Sequence, residues 1–176
     1  SDLKKQVKVV EKLPIFGLEI GLDNLREIQV SDLTATLKQV SKPTIIVCKG
    51  KEEKGAFKGS EEERIDLLIK GIQAGAHYID IGMHTSAHLI EKVRKAAKKK
   101  RAKLIISKHF WKDTPSLEVL LKVVSKGFAM GADIIKIATY CKNWSDTAIL
   151  CELTSRITTA KKKIIVIGMG EKGKIS

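Results

Sequence analysis

The chain has 176 residues, with 43% apolar and 30% charged side chains and a formal net charge of +13. That length and balance describe one globular domain with a sizeable core, and they exclude a disordered or fibrous chain. No run is long and apolar enough to span a bilayer and the first residues lack a secretory-signal pattern, so no membrane role and a cytoplasmic setting are expected.

In chain order, residues 2–12 carry a helical pattern with Val7 and Val10 on one face, and Pro14 ends it. Ile15 to Ile20 form the first expected strand, and Ser31 is the expected N-cap of a helix over 32–40. After Pro43 comes the strand Thr44–Cys48, then a polar, glycine-containing loop over 49–59. Ser60 caps the next helix and Glu63 completes a capping box, with Gly75 as terminator. The strand His77–Ile81, the helix Ala87–Lys100 and the strand Leu104–Ser107 follow, and then a loop over 108–115. A helix over 116–130 stops at Gly131, and the apolar run Gly131–Cys141 is the fifth strand. A helix over 145–160 and a last strand, Lys163–Ile167, complete the pattern.

Six uniformly apolar strands alternating with helices predict an α/β fold with a parallel sheet covered on both faces. No G-x-G-x-x-G or P-loop sequence follows any strand, which disfavours a dinucleotide or nucleotide-phosphate site. A (β/α) TIM-barrel-like arrangement in a single domain over 1–176, incomplete at about six strands, fits better, with chemistry at the C-terminal strand ends. Cys48, Cys141 and Cys151 have neither metal-ligand spacing nor an even count, and are expected to be inert core thiols. The cations Lys92, Arg94, Lys95, Lys98, Lys99, Lys100, Arg101 and Lys103, with Lys161 to Lys163, contain no aromatic residue among them. They stand at helix C-termini, where they complement the helix dipole, so a solvated surface is favoured over a nucleic-acid platform.

The strand ends offer Glu19, Gly21 and Asp23; Cys48 and Lys49; Asp80 and Gly82; Ser107 and His109; Lys136; and Met169. Lys136 is the unusual one, since lysine is rarely buried in an apolar strand unless it is paired or used. Desolvation disfavours an ammonium ion, and a neutral amine attacks carbonyl carbon to form a Schiff base. The competing expectation is an edge-strand lysine reaching out to water. His109, just past the neighbouring strand, is the candidate proton-transfer partner, set against the ordinary expectation of a loop histidine touching solvent.

Ser107-Lys-His109-Phe-Trp-Lys-Asp-Thr114-Pro115 and Gly131-Ala-Asp-Ile-Ile-Lys136-Ile-Ala resemble the type I 3-dehydroquinate dehydratase family. The similarity continues in collinear order through Leu18-Glu19-Ile-Gly-Leu-Asp23, Glu53-Lys-Gly55, Glu63-Arg64, Gly75-Ala-His-Tyr-Ile-Asp80 and Gly168-Met-Gly170 with Gly173 and Ser176. The resemblance implies a lyase of the shikimate pathway, and so of aromatic amino acid biosynthesis. It converts 3-dehydroquinate to 3-dehydroshikimate through a lysine imine, with no cofactor and no metal. It implies Lys136 as the imine-forming lysine, His109 as general acid/base, and Glu19, Lys49, Met169 and Ser176 as substrate contacts.

The departures from the family pattern bear on activity. Gly82 stands where the family has the glutamate that holds the histidine, Gly21 and Lys49 where it has arginines, and Phe110 where it has Asp or Asn. Losing the residue that orients a catalytic histidine costs on the order of 10⁴ in rate in the analogous serine triad. The resemblance therefore implies weak or absent turnover, in a barrel that lacks the family's first and last strands. Exposed edges at Phe16–Ile20 and Lys163–Ile167 are then expected to pair between copies, giving a homo-oligomer. Two other classes stay open: a non-catalytic or engineered scaffold of the same fold, and a basic nucleic-acid binder using the 92–103 face.

Overall fold

The computed structural model describes residues 7, 9–10, 12–24 and 29–174. It divides into two compact units, Ser1–Ile81 with Thr85–Leu104, and Gly82–His84 with Ile105–Ser176. The six strands are parallel wherever their pairing is recorded and alternate with helices, which is the expected incomplete TIM-barrel-like α/β class. Of the helix expected over 2–12, only part lies within the described residues; there Val7 is buried and Val9 exposed.

The first unit runs β1 (Leu18–Gly21), α1 (Val30–Leu37), β2 (Thr44–Val47), α2 (Glu61–Gln73), β3 (Tyr78–Gly82) and α3 (Ala87–Lys100), with the last residue of β3 falling in the second unit. β1 pairs with β2 from Leu18 opposite Thr44 to Gly21 opposite Val47, and β2 pairs with β3 from Ile45 opposite Tyr78 to Val47 opposite Asp80. α2 begins where the sequence indicates: the Ser60 hydroxyl accepts from Glu63 N, and the Glu63 carboxylate accepts from Ser60 N at 2.7 Å. Gly75, at φ +101°, supplies the left-handed residue that turns the chain out of α2. His77 fixes the entry to β2, its Nδ1 accepting from the Thr44 backbone N–H at 3.2 Å and lying 3.0 Å from the Thr44 hydroxyl.

Several expected boundaries in this unit shift; the helix expected over 32–40, for instance, ends at Leu37. β1 starts at Leu18 rather than Ile15, because its first ladder bond runs from Leu18 N to Pro43 O, and Phe16 stands 88% exposed. Helix α1 is capped by Gln29, not Ser31, which sits inside its first turn. Propensity for a cap is overridden when the preceding residues already have helical dihedrals.

The second unit contains β4 (Lys103–Phe110), whose first two residues fall in the first unit, α4 (Leu117–Ala129), β5 (Ile134–Tyr140), α5 (Trp144–Thr159) and β6 (Ile164–Met169). β5 lies between β4 and β6, in register from Ile105 opposite Ile134 to Phe110 opposite Thr139, and from Ile135 opposite Ile164 to Tyr140 opposite Met169. α5 starts with a second capping box, in which Asn143 and Asp146 exchange side-chain and backbone bonds. β4 runs three residues beyond the expected strand, so Lys108, His109 and Phe110 belong to the sheet and not to a loop. Pairing with β5 holds those residues in strand conformation. Cys151 likewise corrects the expectation of three core thiols: it lies on the outer face of α5 and is exposed, whereas Cys48 and Cys141 are buried.

Candidate active site

Lys136 occupies the third position of β5 and is only 5% exposed. That burial excludes the edge-strand lysine reaching water, because β5 is covered by a strand on each side. Residues opposite one another in a parallel pair project to the same side of the sheet, and side chains alternate along each strand. Lys136 therefore shares its face with Ser107 and His109 of β4, with Ala138 and Tyr140 of its own strand, and with Ile165, Ile167 and Met169 of β6. His109 lies opposite Ala138, one strand across (~4.8 Å) and two residues along (~6.6 Å) from Lys136, so the two Cα atoms are about 8 Å apart. An amine and an imidazole directed to one side at that offset can serve a single small molecule.

The walls of this face differ in character. Ser107, Lys136 and Ala138 are buried, Met169 and Ile165 are half-buried and Ile167 is exposed. Next to it, in the same unit, Met83 N donates to Ser107 O at 2.8 Å, which brings the backbone following Gly82 against β4. On the opposite face Phe110 receives the Lys108 ammonium 5.6 Å above its ring. Past the strand end, the His109 and Trp111 rings stack with centroids 4.9 Å apart and planes 7° from parallel. Thr114 closes the segment, its hydroxyl 2.8 Å from that of Thr139 and donating to Tyr140 O at 3.1 Å.

Of the other sequence-expected residues, Glu19 and Lys49 meet in the first unit, Lys49 Nζ lying 3.6 Å from Glu19 Oε1. Both side chains are partly exposed, and such a pair contributes under about 1 kcal/mol. At Gly21 an added Cβ would lie 3.0 Å from Asp23 Oδ1, so a side chain there would require the Asp23 carboxylate to give way. Met169 is the last residue of β6 and Ser176 lies outside the described residues. Asp23 accepts from Ala56 N at 3.1 Å and lines an 830 Å³ cleft with residues 56–59 and one face of α2. That cleft belongs to the first unit alone and contains neither Lys136 nor His109.

Residues to which the sequence assigned no catalytic or binding role also shape the strand ends. Arg64 is 3% exposed and spans three groups of the first unit, donating to Cys48 O at 3.1 Å, Glu61 at 2.8 Å and Thr85 at 2.8 Å. It thereby fixes the backbone immediately before Lys49. Burial, with the carboxylate of Asp23 as a lesser cause, pushes the Cys48 thiol up to about 12, so it is no nucleophile at neutral pH. Among the described residues no group of three His, Cys, Asp or Glu side chains is placed to hold a metal ion, and no helix is long and apolar enough to cross a membrane. On α3 the cations are partly neutralised, Lys92 by Asp66 and Arg94 and Lys95 by Glu91.

The whole chain, residues 1–176, matches the family model of type I 3-dehydroquinase. It is 35% identical over 179 residues to the 3-dehydroquinate dehydratase of Methanocaldococcus jannaschii, covering 100% of this chain and 78% of that enzyme. It is 34% identical over 160 residues to the chloroplastic bifunctional 3-dehydroquinate dehydratase/shikimate dehydrogenase of Arabidopsis thaliana; the match takes in 90% of this chain but only 26% of the plant protein. Among solved structures, the 3-dehydroquinate dehydratase of Enterococcus faecalis superposes with a TM-score of 0.86 at 25% identity, over 99% of this chain and 76% of that one.

Proposed function

Because the chain belongs to the type I 3-dehydroquinase family, we propose that it dehydrates 3-dehydroquinate to 3-dehydroshikimate through an imine on Lys136. The observation that carries this reading is the buried Lys136 sharing one sheet face with His109. Attack of the amine on the ketone, followed by loss of water, gives the imine; the imine acidifies the neighbouring C–H. A base removes that proton, the β-hydroxyl leaves as water, and hydrolysis of the product imine returns the amine. Two waters are released and one is consumed, so the net change is loss of one water. His109 takes the proton-transfer role, protonating the leaving hydroxyl and assisting formation and breakdown of the imine.

Lys136 supports the first step through its burial, which keeps bulk water from competing with the substrate. On the same sheet face Met169 supplies an apolar contact. Glycine at positions 21 and 82 offers no side chain for binding or orientation, and we expect slow turnover in consequence.

The test is to add borohydride in the presence of 3-dehydroquinate and map the adduct by mass spectrometry, while following dehydroshikimate by its absorbance. A single adduct on Lys136, lost in Lys136→Met, together with slow product formation, is the expected result. An adduct spread over surface lysines would end the imine reading. A trapped adduct without product would favour a non-catalytic scaffold that still binds the ketone, and a Gly82→Glu variant would then measure how much the missing side chain matters.

A further inference from the structure

We propose that Trp111 is a positioning residue for His109, fixing the plane in which its imidazole meets the substrate. The proposal rests on the proton-transfer role of His109 given above. Residues two apart on a strand face the same side but sit about 6.6 Å apart, too far for ring contact when the side chains stand straight up. The His109 and Trp111 rings are 4.9 Å apart and within 7° of parallel, so the chain brings them together beyond what strand geometry supplies. The bend at Trp111, immediately after β4 ends at Phe110, does this.

The arrangement is held from both sides. On one side β4 remains in register with β5 through His109 opposite Ala138 and Phe110 opposite Thr139. On the other, Thr114 anchors the loop to the end of β5 through the Thr139 hydroxyl and the Tyr140 carbonyl. Trp111 thus lies on a three-residue span between two fixed points, and its indole is half-buried rather than swinging in solvent. Phe110, between the two stacked residues in sequence, projects to the other face and engages Lys108 instead, so it does not compete for the imidazole.

An indole lying flat on an imidazole contacts the face of the ring and not its nitrogens, which lie at the edge, and hinders rotation about the Cβ–Cγ bond. The face-to-face contact also removes one side of the ring from water. With glycine at position 82, the backbone that reaches β4 through Met83 N and Ser107 O has no side chain there to share the task. The aromatic stack is a device that this sequence places on His109.

The experiment compares the full chain with Trp111→Leu, which keeps an apolar side chain, and Trp111→Phe, which keeps an aromatic face, each with Lys136 trapping as a check on the fold of the site. A misoriented catalytic group loses up to about 100-fold, so Trp111→Leu should lower kcat by about 10- to 100-fold with KM nearly unchanged, and Trp111→Phe should restore most of it. In parallel, the His109 ring protons are followed by NMR; the indole ring current shifts them in the wild type, and Trp111→Leu should remove that shift. A kcat in Trp111→Leu within about twofold of wild type overturns the proposal. If the wild type has no turnover, the dehydratase reading fails separately, and the NMR arm decides: a His109 signal that moves on Trp111→Leu supports the positioning role, and one that does not overturns it.

Discussion

Gly127→Ala tests whether α4 packs on β5 with no room for a methyl group at residue 127. A Cβ at residue 127 would lie 2.3 Å from Ile135 Cδ1 and 3.1 Å from Met83 Cε. Ile135 is fully buried and immediately precedes Lys136, so its Cδ1 can yield only into packed neighbours. Overpacking of this kind costs about 1–3 kcal/mol. Alanine in a helix interior recovers about 1 kcal/mol relative to glycine, so the net loss is about 1 kcal/mol. The clashing atom identifies its own remedy: valine lacks Cδ1. Ile135→Val alone costs about 0.5–1.5 kcal/mol, but in that background Gly127→Ala should keep only the helix gain and stabilise by up to about 1 kcal/mol. Urea unfolding of the four proteins gives the double-mutant cycle, with a coupling of about 2 kcal/mol and a change of sign for Gly127→Ala between the two backgrounds. The same free-energy change for Gly127→Ala with and without the Ile135→Val substitution would refute the contact as the cause.

Four further outcomes are expected. Arg64→Met should destabilise the first unit by about 2–4 kcal/mol in thermal or urea unfolding, because it strands the Cys48 carbonyl and the Thr85 hydroxyl that Arg64 now satisfies; a loss under about 0.5 kcal/mol would mean water replaces the guanidinium. Ser60→Ala and Asn143→Ala should each cost about 1 kcal/mol, since both residues cap through the same reciprocal bonds, and Ser31→Ala should cost much less because it caps nothing. A thiol reagent should label Cys151 alone in the folded protein, while Cys48 and Cys141 react only after unfolding. The Cys48 proton also links folding to alkaline pH. The folded thiol holds its proton up to about 12 while the unfolded one ionises near 9.0, so its contribution is complete below pH 9.0 and is lost as pH rises toward 12. Cys48→Ala should flatten that part of the stability curve, and an unchanged slope would dissociate Cys48 from it.

Much of the fold was legible because the local signals agree with the tertiary outcome. Gly75 and Gly131 take left-handed backbone at φ +101° and +93° just after α2 and α4, where the sequence placed the helix stops. The Ser60–Glu63 capping box forms as its spacing indicates, since all its partners lie within one turn. The Lys136 strand was equally plain, but the burial of its lysine was decided by β4 and β6 on either side. Boundaries fared worse where a distant partner decides. Nothing local distinguishes His109 in a loop from His109 in a strand; the choice belongs to β5, which extends the ladder to Phe110 opposite Thr139.

By itself, the sequence determined the alternation of strands and helices, the strand that carries Lys136 and the family to which the chain belongs. Periodicity, caps and turns act over a few residues, and a collinear run of motifs survives in one dimension. The tertiary structure alone decided which side chains share a face and touch. It set Lys136 and His109 on one side of adjacent strands, laid Trp111 flat against the imidazole, closed Glu19 onto Lys49, and enclosed Arg64 among three acceptors. Register between strands and the bend of a loop are properties of pairs of segments far apart in the chain, and one segment's composition cannot encode them.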